Sequence, residues 1–310
     1  MHWQNKVLIQ RVLDRLPGGQ AVYGAGQQLL GGMRSLKIDT KVDQGLRMFE
    51  PFQTLKLSLK GQSSVEVGTG WVPVVPMLLW LAGNGECFTY DLTRLLIPRY
   101  VQEAARQLVT MCDGTALTLN SRTLPIRSER HDTLVRLVRD RSTAEDILEA
   151  LSIRYSAPSD AGATPHLDNS VDLVFSNTVM EHVPVSQLVR LFRESFRILK
   201  PGGWALHLID PSDHFSHSDS SISKINFLRF SDSEFDRYNT RFCYQNRLRA
   251  PEYAELLRSA GFEISVFSCS VDDKSLGALA SIPLSDRFKR YTPDEVCSTC
   301  VSVGVRKPLN

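Results

Sequence analysis

The strongest chemical signal in the chain is a glycine loop led by one carboxylate and followed, 25 residues after that carboxylate, by another. Glu66-Val67-Gly68-Thr69-Gly70 places two glycines directly after a β-rich run, and Asp91 closes the next such run. Glycine at a strand-to-helix junction lets backbone N–H groups approach a ligand with no side chain between them. A carboxylate at the end of the second strand can accept both hydroxyls of a ribose. The same glycines would also serve an ordinary turn. A dinucleotide fingerprint needs a third glycine at position 73, where this chain has Pro73. The pattern therefore asks for one ribose carboxylate and a close backbone approach, without a pyrophosphate cradle.

Further along, Glu181 and His182 follow another β-rich run. His182 suits either a general base or a hydrogen-bonded structural role. The segment from Asp210 to Arg249 gathers Asp210, Asp213, His214, His217 and Asp219, then Phe227, Arg229, Phe230, Phe235, Arg237, Tyr238, Arg241, Phe242, Tyr244, Arg247 and Arg249. Arginines and aromatics together suit a planar or anionic ligand. They equally suit an amphipathic helix pair with rings on the core and guanidinium groups in solvent. His214 is a second candidate base. Asp210, Asp213, His214 and His217 could offer ligands to a divalent ion, but the two histidines share a face only in a helix, and their Ser-rich surroundings disfavour one. No metal ligand is assigned. Cys297-Ser298-Thr299-Cys300 is a lone pair of thiols, and structural zinc needs four ligands.

These residues need a frame that brings strand ends together. Gly, Pro and Ser divide the chain from Ser63 onward into an α/β alternation. Ser64–Val67 reads as a strand, an apolar helix follows to Leu81, and Cys87–Tyr90 is a second strand. A charged stretch from Thr93 to Leu151 reads as mostly helical, and Ile153–Tyr155 and Val171–Ser176 are the third and fourth strands. Helix Val185–Leu199 carries Leu188, Leu191, Phe192, Ser195, Phe196 and Leu199 on one face. It stops at Lys200-Pro201-Gly202-Gly203, and Trp204–Ile209 is the fifth strand. Helix Pro251–Ser259 and strands Phe262–Cys269 and Val301–Arg306 complete the series. Such repetition implies right-handed βαβ units. The expected class is α/β: a doubly wound, Rossmann-like sheet of seven mostly parallel strands, with helices on both faces. Residues 1–60 read as an N-terminal helical appendage and 61–310 as the main domain. The stretch from about 210 to 250 reads as an insertion after strand five, above the carboxyl edge.

In this order the motifs resemble the class I S-adenosylmethionine-dependent methyltransferases, of the type 11 domain kind. The resemblance runs from about Ser63 to Arg306. It rests on Glu66-x-Gly68-x-Gly70, Asp91, Asp160-Ala161, Asp168-Asn169-Ser170-Val171-Asp172-Leu173-Val174-Phe175-Ser176, Val179-Met180-Glu181-His182-Val183 and Arg197-Ile198-Leu199-Lys200-Pro201-Gly202-Gly203. It implies S-adenosyl-L-methionine as cofactor. Glu66, Gly68 and Gly70 would surround its methionine end, Asp91 would hold the ribose and Asp160 would accept from the adenine amino group. Ser176 and Asn177 would line the floor where cofactor and acceptor meet. Val72 stands where the family often has a third glycine.

The activity implied is methyl transfer to a small or medium-sized acceptor, O-methylation ahead of N-methylation. A noncatalytic cofactor-binding protein is the alternative from another class, and an NAD-dependent oxidoreductase a more remote one. Lys plus Arg number 36 against 34 Asp plus Glu, so no global charge draws the chain to nucleic acid. Strand four ends in Ser176-Asn177-Thr178-Val179, without the Pro-Pro-aromatic motif of amino-methylating DNA enzymes, and no Pro-Cys nucleophile is visible. A small-molecule partner is expected, with neither nucleic acid nor membrane. The apolar run from Trp71 to Ala82 is interrupted by Pro73 and Pro76, and the six cysteines are scattered through the chain. A soluble, cytoplasmic protein is the expectation.

Overall fold

A computed structural model describes residues 2–17, 19, 36–54, 57–240 and 242–309. The expected Gly-rich turns between the N-terminal helices, and Arg241, lie outside the described residues. Nine strands form. They are β1 (Ser63–Val67), β2 (Glu86–Tyr90), β3 (Ala116–Leu119), β4 (Arg122–Pro125), β5 (Ile153–Ser156), β6 (Val171–Asn177), β7 (Leu199–Ile209), β8 (Glu263–Val271) and β9 (Ser298–Arg306). Seven of them make one sheet in the order β5-β2-β1-β6-β7-β9-β8. β5, β2, β1, β6 and β7 pair in parallel, and β9 runs antiparallel between β7 and β8. From β1 the chain winds outward through β2 to β5, then returns to β6 on the other side of β1. The carboxyl ends of β1 and β6 therefore flank a topological switch point, where an open α/β sheet leaves a crevice.

Period-two alternation gives each strand two apolar faces. On one face Cys87, Ile153, Leu173, Phe175, Trp204 and Leu206 pack under helices α2 (Asp39–Thr54), α3 (Val74–Ala82), α4 (Pro98–Met111), α5 (Ser128–Arg139) and α6 (Ala144–Ala150). On the other, Val65, Val67, Val174, Ala205, Val303 and Val305 meet α7 (Val185–Ile198) and a helix over Ala250–Ser259. α2 shares the first core. Val42, Leu46 and Phe49 point inward at helical spacing, and the Phe49 ring meets Phe175 edge-on at 6.5 Å.

Two expectations change. Within the stretch read as helical, β3 and β4 form a two-stranded hairpin whose turn residues Asn120 and Ser121 both have positive φ, 49° and 64°, as a two-residue primed turn requires. The hairpin is tied to α2, since Asn120 Nδ2 donates to Asp43 and Arg122 pairs with Asp43 and Glu50. Lys200-Pro201-Gly202-Gly203 belongs to β7 as a bulge: Val171 pairs with Leu199 but Leu173 with Trp204.

Helix α1 (Trp3–Arg15) lies against the segment after β7. Trp3 packs on Phe215, Phe230 and Tyr238 at ring distances of 5.5, 6.1 and 4.9 Å, and its backbone N–H donates to Asp219. A further core of Ile225, Phe227, Leu228, Phe235, Phe288, Val296 and Cys297 joins that segment to the β8–β9 connection. Among the described residues, no helix is long and apolar enough to cross a membrane.

Candidate active site

A cavity of about 890 Å³ opens at the switch point, lined by Gly68, Thr69, Gly70 and Asp91 from the β1 and β2 ends and by Asn177, Thr178, Val179 and His182 beyond β6. Leu36, Lys37 and Lys41 close it from the α2 side. A second cavity of about 370 Å³ shares Gly68, Asp91, Leu95, Val179 and His182 as walls and extends to Asp160 and Arg190. Asp91 thus stands on the border between the two spaces, where the ribose of a nucleoside with groups at both ends would lie.

The loop is shaped by its glycines. Gly68 has φ +76°, and a Cβ there would meet Val179 Cγ2 at 2.6 Å. Gly70, at φ +70°, has no atom within 4 Å of that position and donates its N–H to Asp91 Oδ2 at 3.0 Å. Burial raises the Asp91 carboxyl to about 6, opposed by Tyr155 and by the loop N–H groups. Glu66 is 3% exposed, and its Oε2 has no hydrogen-bond partner. Burial pushes this carboxyl up to about 8; the charge of Asp91 adds to the shift, and Thr69 and Lys41 oppose it. A buried oxygen without a donor is costly. A cationic ligand group beside Glu66 would answer it.

Of the other predicted residues, Asp160 lines the smaller cavity. Its Oδ1 accepts from the Gly162 N–H at 2.8 Å and its Oδ2 pairs with Arg190 at 2.5 Å. A carboxylate has lone pairs for a further donor. Asn177 lines the larger cavity, its Nδ2 donating to Gln44 at 3.1 Å and its Oδ1 unpaired. Ser176 does not line it, contrary to expectation. Period two turns its side chain the other way, into a fully buried contact with His207 Nδ1 at 2.8 Å. Burial holds His207 down to about 3.

His182 faces both cavities. Its Nδ1 lies 2.8 Å from the carbonyl oxygen of Tyr244, and since a carbonyl only accepts, Nδ1 carries the proton and Nε2 keeps its lone pair. Although the residue is exposed, the surrounding protein and then the charge of His214 hold His182 well below the ordinary histidine value. His214 stands behind it rather than on the cavity wall, with ring centroids 4.8 Å apart. Burial opposes charging His214, but Asp210, with Oδ2 at 3.5 Å from Nε2, and Glu181 raise it.

Of the four residues weighed as metal ligands, three meet: Asp210 Oδ2 lies 3.5 Å from His214 Nε2 and 3.7 Å from His217 Nε2, while Asp213 stands apart. Asp213 is buried and accepts from the Phe215 N–H and from Asn226. His217 stacks on His214 and is half exposed. The arginines of the segment also differ from expectation. Arg247 donates to the Phe227 and Phe230 carbonyls and pairs with Asp232. Arg249 is fully buried and donates to the carbonyls of Pro211, Ser298 and Glu295. Both brace the fold. Cys297 and Cys300 are free thiols.

Sequence reasoning missed Lys41 and Gln44. Lys41 Nζ lies 3.4 Å from Thr178 Oγ1, and burial holds its ammonium below the usual lysine value against the pull of Glu66 and Glu181. Gln44 is 133 residues from Asn177 along the chain. The amphipathic spacing of α2 shows a helix, but no local signal says which sheet edge it covers.

Fold and site together give a doubly wound α/β protein with an open crevice at its switch point, walled by the glycine loop and Asp91. Residues 129–207 match the family described as methyltransferase domain. The matched span holds β5, β6 and most of β7; the glycine loop precedes it. No curated protein sequence matches the chain. Among solved structures, an S-adenosylmethionine-dependent methyltransferase from Mesorhizobium loti is 14% identical over 85% of this chain and 100% of that one, with a TM-score of 0.45. Phosphoethanolamine N-methyltransferase 2 from Haemonchus contortus, in complex with S-adenosyl-L-methionine, is 15% identical over 97% of this chain and 60% of that one, at 0.48. The cyclase SpnF is 17% identical over 86% and 81%, at 0.44.

Proposed function

We propose that this methyltransferase acts on a small or medium-sized acceptor, with a hydroxyl oxygen favoured over an amine nitrogen. The observation that carries the reading is His182: an imidazole on the cavity wall with Nδ1 committed to a carbonyl and Nε2 free to take a proton. An amine that is already neutral needs no such group, whereas an alcohol or phenol must lose a proton as its oxygen is methylated.

Glu66, Gly68, Gly70 and Asp91 would hold the cofactor, Asp160 would take the adenine end, and Asn177 would stand at the floor. When bound, the cofactor supplies an electrophilic methyl group on a sulfonium. In-line displacement then depends on alignment and exclusion of water. His182 orients the acceptor hydroxyl and receives its proton. His214, backed by Asp210, fixes the ring from behind.

The test is transfer of labelled methyl from S-adenosylmethionine into a metabolite extract, followed by hydroxyl and amine acceptor panels. Labelled methyl ethers are expected, and His182→Ala should lower kcat far more than it changes KM. Asp91→Ala should weaken S-adenosylhomocysteine binding by about 1–3 kcal/mol. Cofactor binding without transfer to any acceptor would instead mark a noncatalytic binding protein, and N-methylated products alone would overturn the oxygen preference.

A further inference from the structure

We propose that Glu181, His182 and His214 form a binding site for a divalent transition-metal ion at the acceptor end of the cavity. Each residue offers one ligand atom, and the three atoms lie within 4.8 Å of one another. Two imidazoles and one carboxylate are the donor set of Zn²⁺ and its neighbours in the first transition row, not of Mg²⁺. A tetrahedral Zn²⁺ holds such ligands about 3.4 Å apart, so rotation of the side chains suffices to close the set. The backbone that carries them is ordered by the sheet. Glu181 and His182 occupy the short 3-10 turn Met180–His182 just past β6, and His214 follows the adjacent strand β7.

Independent support comes from Glu181 itself. It is 2% exposed, yet neither carboxylate oxygen has a hydrogen-bond partner. Buried carboxylates ordinarily collect donors, and this one is aimed at two imidazoles. The outer partners fit as well. The Tyr244 carbonyl holds His182 Nδ1–H, which leaves Nε2 for an ion, and Asp210 lies beside His214; metal-bound histidines are commonly oriented in this way. His182 is the member on the cavity wall, so a fourth position on the ion would face the cavity and take an acceptor oxygen. That last use rests on the proposed methyl transfer to oxygen. In it the ion takes over from His182 as the group that activates the hydroxyl, because an ion on Nε2 occupies the lone pair that would take the proton. Metal binding itself does not rest on that transfer. The competing explanation is charge alone: His214 is the leading electrostatic partner of Glu181, and the Lys41 ammonium also interacts with it.

The experiment titrates untagged full-length protein, stripped with chelator, with Co²⁺ as the spectroscopic probe and Zn²⁺ as the competitor. One equivalent of Co²⁺ should give the visible absorption of a four- or five-coordinate site, and Zn²⁺ should abolish it. Glu181→Gln and His214→Ala should each weaken Co²⁺ binding at least about 100-fold, while circular dichroism and S-adenosylhomocysteine binding stay as in the parent. A folded parent that binds S-adenosylhomocysteine but gives no Co²⁺ absorption overturns the site and leaves the methyltransferase reading intact. Absorption that survives in both variants places the ion elsewhere and also overturns it. Metal binding with no methyl transfer to any acceptor supports the site and removes its proposed use.

Discussion

At the scale of single residues, the informative groups are buried and incompletely satisfied. Glu66 lies beside the place where a cationic methionine end would sit, and its carboxyl is raised to about 8 chiefly by burial. At pH 7 it is mostly protonated, and a neighbouring ammonium favours the charged form. Cofactor binding should therefore expel close to one proton at pH 7 and fewer as pH rises past 8. Calorimetry in buffers of different ionisation enthalpy reads this directly, and Glu66→Gln should remove most of the release. Undiminished release in that variant would place the ammonium elsewhere. Without ligand the sign reverses for stability. The raised folded value means that the Glu66 contribution is complete below the unfolded carboxyl value near 4.5 and is lost as pH rises through about 8.

At the scale of elements, α2 converts a sheet edge into a covered cavity. Its close seating on α3 depends on Gly45, where a Cβ would come within 2.7 Å of Leu78 Cδ1. Gly45→Val should push the two helices apart and weaken S-adenosylhomocysteine binding, although residue 45 does not line the cavity. The expected cost in unfolding free energy is about 1–3 kcal/mol, typical of overpacking, measurable by denaturant titration. Unchanged ligand affinity in a destabilised variant would separate α2 from the site. Sequence patterning showed this helix but not its partner, because an amphipathic face specifies that something covers it and not what does. The β3–β4 hairpin was missed for a different reason. Its strands are only four residues each, and the flanking helices α4 and α5 dominate the periodicity of that stretch.

At the scale of the whole molecule, the N-terminal helix and the segment after β7 are joined across more than two hundred residues of chain. The Trp3 N–H reaches Asp219 at 2.9 Å, and Lys6 reaches Ser218 at 3.3 Å. Trp3, Val7 and Phe215 form a small core apart from the main sheet. Trp3→Ala should therefore loosen residues 215–240 locally while leaving the sheet intact, at a cost of about 3–5 kcal/mol. Hydrogen exchange checks this: protection should fall in that segment and persist in β1, β6 and β7. Uniform loss across the sheet would show one cooperative unit instead.

The local chain alone determined the strand series, the doubly wound class and the glycine loop with its two acids. Each of these is written in short-range spacing: period two in the strands, turn residues at their ends, and a carboxylate at a fixed offset. The tertiary structure decided which side chains share the cavity. Period two sends Ser176 and Asn177 to opposite faces, but only the packing decides that His207 meets the one and Gln44 the other. Arg249 resembles a ligand-binding cation until its burial among three carbonyls is seen. Lys41 enters the site only because α2 packs over the switch point. Those outcomes depend on contacts between segments far apart in the chain, and no pattern within a single segment encodes them.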